Sequence, residues 1–250
     1  MNFYFAPMEG LTGYIYRNAH NAFFNNIDKY FSPFIVANQS KGFKTKELND
    51  ILPENNQGLV LIPQLLINNA KDFIHTANKI NQLGYNEINL NLGCPSGTVV
   101  SKGKGSGFLS KTKELDLFFE EIFSEATTKI SVKTRIGKDQ PEEFYSLIEI
   151  FNKYPIEELI IHPRTQKDFY NNKPNLKIFK EALTLSKNPV SYNGDIRTVK
   201  DYNEFSKNFP SVETLMIGRG LLANPLLIND IENNTKLQKE LLKEFHDKIY

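Results

Sequence analysis

Two hydrophobic periodicities alternate along this chain. Short runs dominated by apolar residues, at 2–6, 30–35, 59–65, 87–91, 130–134, 158–161, 189–192 and 214–217, have the length and flanks of strands. Between them, 14–24, 44–51, 70–83, 113–126, 141–154, 175–186 and 199–208 place apolar residues at helical spacing. Strands alternating with helices predict βα units around a parallel sheet. Eight such strands within about 220 residues predict a (β/α)8 TIM barrel, for which roughly 250 residues is usual. A doubly wound open sheet is the competitor. It would carry a Gly-rich first turn, whereas this chain has Pro7-Met8-Glu9-Gly10 there. After Pro225 the pattern changes, and 231–250 is charged, helix-forming and rich in Lys, Glu and Leu. It runs to Tyr250 with no cap or stop signal. This predicts a barrel domain over 1–230 and the truncated start of a C-terminal helical region over 231–250.

Composition narrows the class. Lys+Arg number 30 and Asp+Glu 29, so global charge gives no sign of a nucleic-acid binder and any such role needs a local basic patch. The N-terminus starts on a strand-like run without a basic leader or cleavage signature. The longest apolar stretch, 59–67, is broken by Pro63 and Gln64 and is too short to span a bilayer. One cysteine in 250 residues suits a reducing compartment or indifference to redox state. Together these predict a cytoplasmic protein with no membrane association, no metal site and no obligate protein partner.

A barrel of this kind works at the C-terminal ends of its strands. The unusual residues fall there: Ala6-Pro7-Met8 after the first strand, Gln64 in the third and Asn91 running into Cys94 after the fourth. Lys133 with Arg135 follows in the fifth, His162 with Arg164 in the sixth, Asn193-Gly194-Asp195 in the seventh and Gly218-Arg219-Gly220 in the eighth. Singly, Gln64 could cap a backbone group, His162 could be a satisfied core residue, and Cys94 a small buried hydrophobe. Jointly, these polar groups at one mouth would be costly without a polar ligand. The last two turns fit a phosphate, because glycines let backbone N–H groups approach an anion and Arg219 adds a fork of donors. Lys133 fits an electron-rich ring that gains negative charge, such as a reduced flavin, or a Schiff base.

The motifs Ala6-Pro7-Met8-Glu9-Gly10, Asn91-Leu92-Gly93-Cys94-Pro95, Val132-Lys133-Thr134-Arg135, His162-Pro163-Arg164-Thr165, Asn193-Gly194-Asp195-Ile196 and Met216-Ile217-Gly218-Arg219-Gly220 resemble those of the tRNA-dihydrouridine synthases, in that family's order. The resemblance implies an FMN-bearing barrel followed by a C-terminal helical domain. In it NADPH reduces the flavin, and the flavin reduces a uridine in tRNA. It implies that Pro7 and Met8 line the flavin ring, that Gln64 bonds its edge, and that Asn91 lies near ring and base. Lys133 would stabilise N1/O2, and His162 would contact the flavin. Asn193, Gly194, Asp195, Gly218 and Arg219 would hold the phosphate, and Cys94 would be the general acid toward uracil C5. Lys102 and Lys104, on a glycine-rich loop expected to close over the base, and Arg164 at the mouth would meet RNA, with Lys41, Lys44 and Lys46 as a further basic patch. With most of the helical domain missing, tRNA binding is expected to be weakened. Tyr192 stands where the family more often has a small residue. The alternatives are an FMN barrel acting on a free dihydropyrimidine or dihydroorotate, and a non-redox phosphate-binding barrel using Lys133 as a Schiff base.

Overall fold

A computed structural model describes residues 1–37, 39–40, 42–232 and 239–249. Nine strand segments form one all-parallel sheet: β1 Asn2–Phe5, β2 Lys29–Phe31, β3 Leu61–Ile62, β4 Gln64–Leu65, β5 Glu87–Leu92, β6 Lys129–Gly137, β7 Leu159–Thr165, β8 Val190–Tyr192 and β9 Thr214–Ile217. Their order is β3-β2-β1-β9-β8-β7-β6-β5-β4. The two ends of that order are halves of one strand, separated only by Pro63. Proline has no N–H for the ladder, but its carbonyl still accepts from Asn89 N at 2.9 Å. Ile35 bridges to Leu65 from the other side, so the sheet closes into the eight-stranded barrel that the sequence pattern predicts.

Helices α1 Tyr14–Phe24, α2 Thr45–Ile51, α3 Ala70–Gln82, α4 Gly97–Val100, α5 Thr112–Glu125, α6 Glu143–Phe151, α7 Leu176–Leu185, α8 Val199–Asn208, α9 Arg219–Ala223, α10 Leu227–Ile231 and α11 Lys239–Ile249, with short 3-10 helices at Pro53–Asn55 and Gly105–Ser110, complete the described elements. Expected and observed bounds coincide for α1 and α8. Helix α8 starts where its sequence says it should, because Thr198 and Asp201 form a reciprocal capping box. Strands β6 and β7 run past the expected 134 and 161, staying paired through Arg135–His162 and, after a register shift, Gly137–Thr165. Those added residues carry the polar groups of β6 and β7 to the mouth.

Alternation along the strands makes two apolar cores. Phe3, Phe5, Leu90, Leu92 and Ile161 face outward into the large cluster under the helices. Tyr4, Ala6, Phe31, Ile62, Ile160 and Met216 plug the barrel interior. Helix α11 lies on α1, with the Phe245 ring 5.0 Å from Phe24 and 5.6 Å from Tyr16. Residues 233–238 and Tyr250, within the expected C-terminal region, lie outside the described residues.

Candidate active site

At the C-terminal end of the barrel a cleft opens in two lobes, with about 490 and 830 Å³ of empty space that includes open solvent. Pro7, Met8, Lys133, His162 and Tyr170 line both lobes. Asn193, Gly194, Asp195, Gly218 and Arg219 belong to the smaller one. Gln64, Asn91 and Cys94 belong to the larger. Sheet register explains the grouping. Gln64 pairs with Asn89, and Asn91 pairs with Lys133. Residues two apart on a strand share a face, so Asn91 and Lys133, like Asn89 and Ser131 one step below, all point inward. The first loop is pinned by Thr12, whose hydroxyl accepts from Met8 N at 2.8 Å.

Cys94 is half-buried, and the turn that carries it is held from several sides. Asn91 Oδ1 accepts from Gly93 N at 3.0 Å and Cys94 N at 2.9 Å. Arg135 Nε donates to Gly93 O at 2.9 Å. Ser106 donates to Cys94 O from both N, 3.1 Å, and Oγ, 2.8 Å. The glycines after Cys94, expected to let a loop move, instead make room for packing. A Cβ on Gly107 would come within 2.7 Å of Val100 O, and residues 105–109 are buried in a short 3-10 helix. Asn68 Nδ2 further ties the Lys102 and Gly103 carbonyls, both at 3.1 Å. Lys102 is exposed on this loop, and Lys104 is half-buried, which lowers its pKa; neither lines the cleft. Lys44 and Lys46 are exposed, while Lys41 lies outside the described residues.

The expectation for Arg164 needs correction. It is 2% exposed, and its guanidinium points inward to Asp195, at 3.1 and 2.6 Å, and to the Asn172 carbonyl. It therefore braces the cleft wall and does not present itself to RNA. Asp195 does line the smaller lobe, but its carboxylate is itself engaged, by Arg164 and by Arg219 Nη2 at 2.6 Å. Gly194 is required here, since a Cβ would fall on the Tyr192 ring. Arg219, held in place by Asp195, and the Gly218 end bring donors to this lobe.

Burial first, then Arg135, pushes Lys133 down to about 7. Burial, then Arg135, Lys133 and Arg164, holds His162 well below its ordinary range, so it is neutral. Arg164 Nη1 lies 3.1 Å from His162 Nε2 and can only donate, which puts the imidazole proton on Nδ1. The Cys94 thiol is raised, burial outweighing the pull of a Ser96 backbone N–H, Lys133 and Arg135. Burial opposes the ionised form of Asp195, but Arg164 and then Arg219 outweigh it and hold the carboxyl low. Among the described residues no cluster of His, Cys, Asp and Glu could hold a metal, and no helix is long and apolar enough to cross a membrane.

Sequence reasoning gave no role to Arg135 and passed over Tyr170. Arg135 shares a face with Lys133, so strand alternation signalled it. Tyr170 follows Phe169, whose left-handed backbone, φ 48°, brings its carbonyl to Arg135 Nη2 at 2.9 Å. The Tyr170 ring then lies against the Arg219 guanidinium, 4.6 Å away, and Arg135, 5.4 Å away. Nothing in the local sequence pattern marks that placement.

A family model described as dihydrouridine synthase (Dus) matches residues 4–249. A probable tRNA-dihydrouridine synthase of Helicobacter pylori is 35% identical over 184 residues, covering 68% of this chain and 54% of the relative. One from Rickettsia bellii is 30% identical over 169 residues, covering 67% and 52%. One from Staphylococcus aureus is 27% identical over 252 residues, covering 96% and 74%. The chain therefore spans about half the length of the first curated relatives it matches. Two solved structures share the fold. Histamine dehydrogenase from Rhizobium sp. 4-9 superposes with a TM-score of 0.67 at 11% identity, covering 93% of this chain and 46% of that one. A morphinone reductase variant in complex with tetrahydroNAD superposes at 0.65 and 9% identity, covering 98% and 90%.

Proposed function

This chain belongs to the dihydrouridine synthase family, and from that premise we propose that it reduces uridine in tRNA to 5,6-dihydrouridine, using FMN and NADPH. The observation that carries the reading is Lys133. It is a half-buried residue whose desolvated amine has no ion-pair partner among the described residues, at the floor shared by an anion-suited lobe and a lobe holding Cys94. A group with a phosphate at one end and a ring able to take negative charge at the other fits that floor. Arg219 and the Gly218 end would hold the phosphate, while Pro7, Met8, Gln64 and Lys133 would meet the ring. FMN, when bound and reduced by NADPH, would supply two electrons to the uracil C5–C6 double bond, with hydride arriving at C6.

The chain's own residues do the rest. Cys94, kept protonated by burial, gives its proton to C5. The thiolate left behind is stabilised by the nearby Lys133 and Arg135 charges. Neutral His162 donates through Nδ1 without adding a cation. Asn91 and Ser106 hold the Cys94 turn so that only the thiol faces the base, which must leave its stack to reach it. Lys102, Lys44 and Lys46, exposed outside the cleft, would serve the RNA backbone.

Purified protein should carry or acquire flavin absorption bands. With NADPH it should form dihydrouridine in tRNA from a strain lacking the enzyme. Protein that stays colourless with added FMN would count against the proposal. One observation favours a second reading: an amine near 7 is also what Schiff-base chemistry needs. Borohydride trapping of a carbonyl compound on Lys133 would support it, but it leaves Cys94 and the anion lobe without a task.

A further inference from the structure

Four side chains form one directed hydrogen-bond chain through the barrel interior. Asn91 Nδ2 donates to Gln64 Oε1 at 2.7 Å, Gln64 Nε2 donates to Asn89 Oδ1 at 2.7 Å, and Asn89 Nδ2 donates to Ser131 Oγ at 3.0 Å. A side-chain amide can be turned end for end, so the direction of such a chain is normally open. Here it is not. Asn91 Oδ1 accepts from two backbone N–H groups, those of Gly93 and Cys94, which can only donate. That turns the Asn91 NH₂ toward Gln64, which must then present its oxygen. The Gln64 NH₂ is left facing Asn89, which must present its own oxygen, and the Asn89 NH₂ ends on the Ser131 hydroxyl.

We propose that Asn89, which does not line the cleft, is a positioning residue for Cys94 and for the cleft-facing amide of Gln64. Gln64 and Asn89 are fully buried and Asn91 nearly so, which leaves no water to replace a lost partner. Without the Asn89 oxygen, the Gln64 NH₂ loses its acceptor in its present orientation. If the Gln64 amide turns to seek another, it presents its NH₂ to the Asn91 NH₂, donor against donor. Asn91 then loses the partner that keeps its oxygen on the Gly93 and Cys94 amides. The effect reaches Cys94 through three side chains on the paired strands β4 and β5. Only the catalytic consequence rests on Cys94 as proton donor; the positioning itself is a property of the protein alone.

Because Cys94 is the one cysteine in the chain, thiol alkylation reports on it alone. The test compares the pH profile of iodoacetamide alkylation in wild type, Asn89→Leu and Ser191→Ala, each without and with FMN. Ser191 bonds the buried Glu158 carboxylate elsewhere in the barrel, so its variant controls for general loosening. In Asn89→Leu the turn opens and the thiol returns toward ordinary ionisation. Alkylation near neutral pH should then rise severalfold, because the thiolate fraction sets the rate. Ser191→Ala should keep the wild-type profile. If Asn89→Leu does not fold, Asn89→Thr is read the same way, since threonine suits a strand but its hydroxyl cannot reach Gln64 Nε2. Superimposable profiles for wild type and the Asn89 variant would overturn the proposal, as would an equal shift in Ser191→Ala. Failure of wild type to form dihydrouridine is a separate result, which removes the proposed reaction and leaves the alkylation comparison intact.

Discussion

Arg164 and Asp195 meet through a two-point fork, Nη1 to Oδ1 at 3.1 Å and Nη2 to Oδ2 at 2.6 Å. The arginine is almost wholly buried and the carboxylate about a third exposed. Asp195 also takes Arg219, so one anion joins a wall residue to a cleft residue. Asp195→Asn keeps the shape but leaves the Arg164 charge uncompensated. It should cost roughly 1–3 kcal/mol in a denaturant melt, the range for an unsatisfied buried polar group, below the figure for a fully buried pair. The sign with pH follows from a depressed carboxyl. The contribution is present above the ordinary carboxylate range and is lost as pH falls through the lower folded value. Wild type and variant should therefore converge in acid; a gap that widens there would contradict the pairing.

Cys94→Ala separates proton donation from cofactor binding. The thiol lines the larger lobe and is absent from the lobe with Arg219, so FMN affinity and NADPH oxidation by another acceptor should stay near wild type. Dihydrouridine formation should fall by roughly 10²–10⁴-fold, the usual contribution of a positioned acid. Equal turnover in the variant would remove Cys94 from the chemistry.

Much of this was legible because strand period and barrel topology are simple rules. Gln64, Asn91, Lys133 and His162 sit on or beside predicted strands, and closure of the sheet brings such residues to one mouth whatever the helices do. The failures share a cause. Arg164 and Asp195 are charged residues at strand ends, which look alike in sequence whether they face a ligand or each other. The pairing that joins them, across β7 and the turn after β8, is a matter of tertiary distance. Gly105 and Gly107 read as a hinge because glycine signals freedom, whereas here the backbones of Cys94 and Val100 approach too closely for any side chain. Asn89 lay unnoticed inside an apolar strand, since hydrogen bonding between neighbouring strands is invisible to a pattern read along one of them.

Gly105 tests the packing account directly. It adopts φ +54°, and a Cβ there would lie 2.8 Å from Cys94 O and 3.0 Å from Cys94 Cβ. Gly10 also has positive φ, +78°, but nothing lies within 4 Å of where its Cβ would be. Gly10→Ala should cost only the left-handed backbone strain of about 1–2 kcal/mol. Gly105→Ala adds to that strain a displacement of the Cys94 turn. Its dihydrouridine formation should drop well beyond any loss of FMN affinity, measured by titration, whereas Gly10→Ala should not show that split. The same result for both glycines would return the loop to a purely conformational role.

Lys133 makes the pH dependence of stability a probe of the cleft floor. Its folded pKa lies near 7, lowered chiefly by burial and next by Arg135, against an ordinary 10.5. Between those values the unfolded chain carries a proton that the folded chain does not. Stability of the FMN-free protein should therefore rise with pH across that window, by up to about 1.4 kcal/mol per pH unit. Below pH 7 both states are charged and the burial cost is complete; above 10.5 both are neutral and it vanishes. Other groups titrate in the same range, so the reading is the difference between wild type and Lys133→Met in denaturant melts. Any advantage of the variant should shrink as pH rises, because its thioether carries no charge to bury at any pH. Adding FMN, whose ring would accept from the protonated amine, should flatten the wild-type slope and leave the variant's unchanged. A difference that does not move with pH would mean that Lys133 keeps its proton in the folded protein, with an anion of the chain itself to hold it.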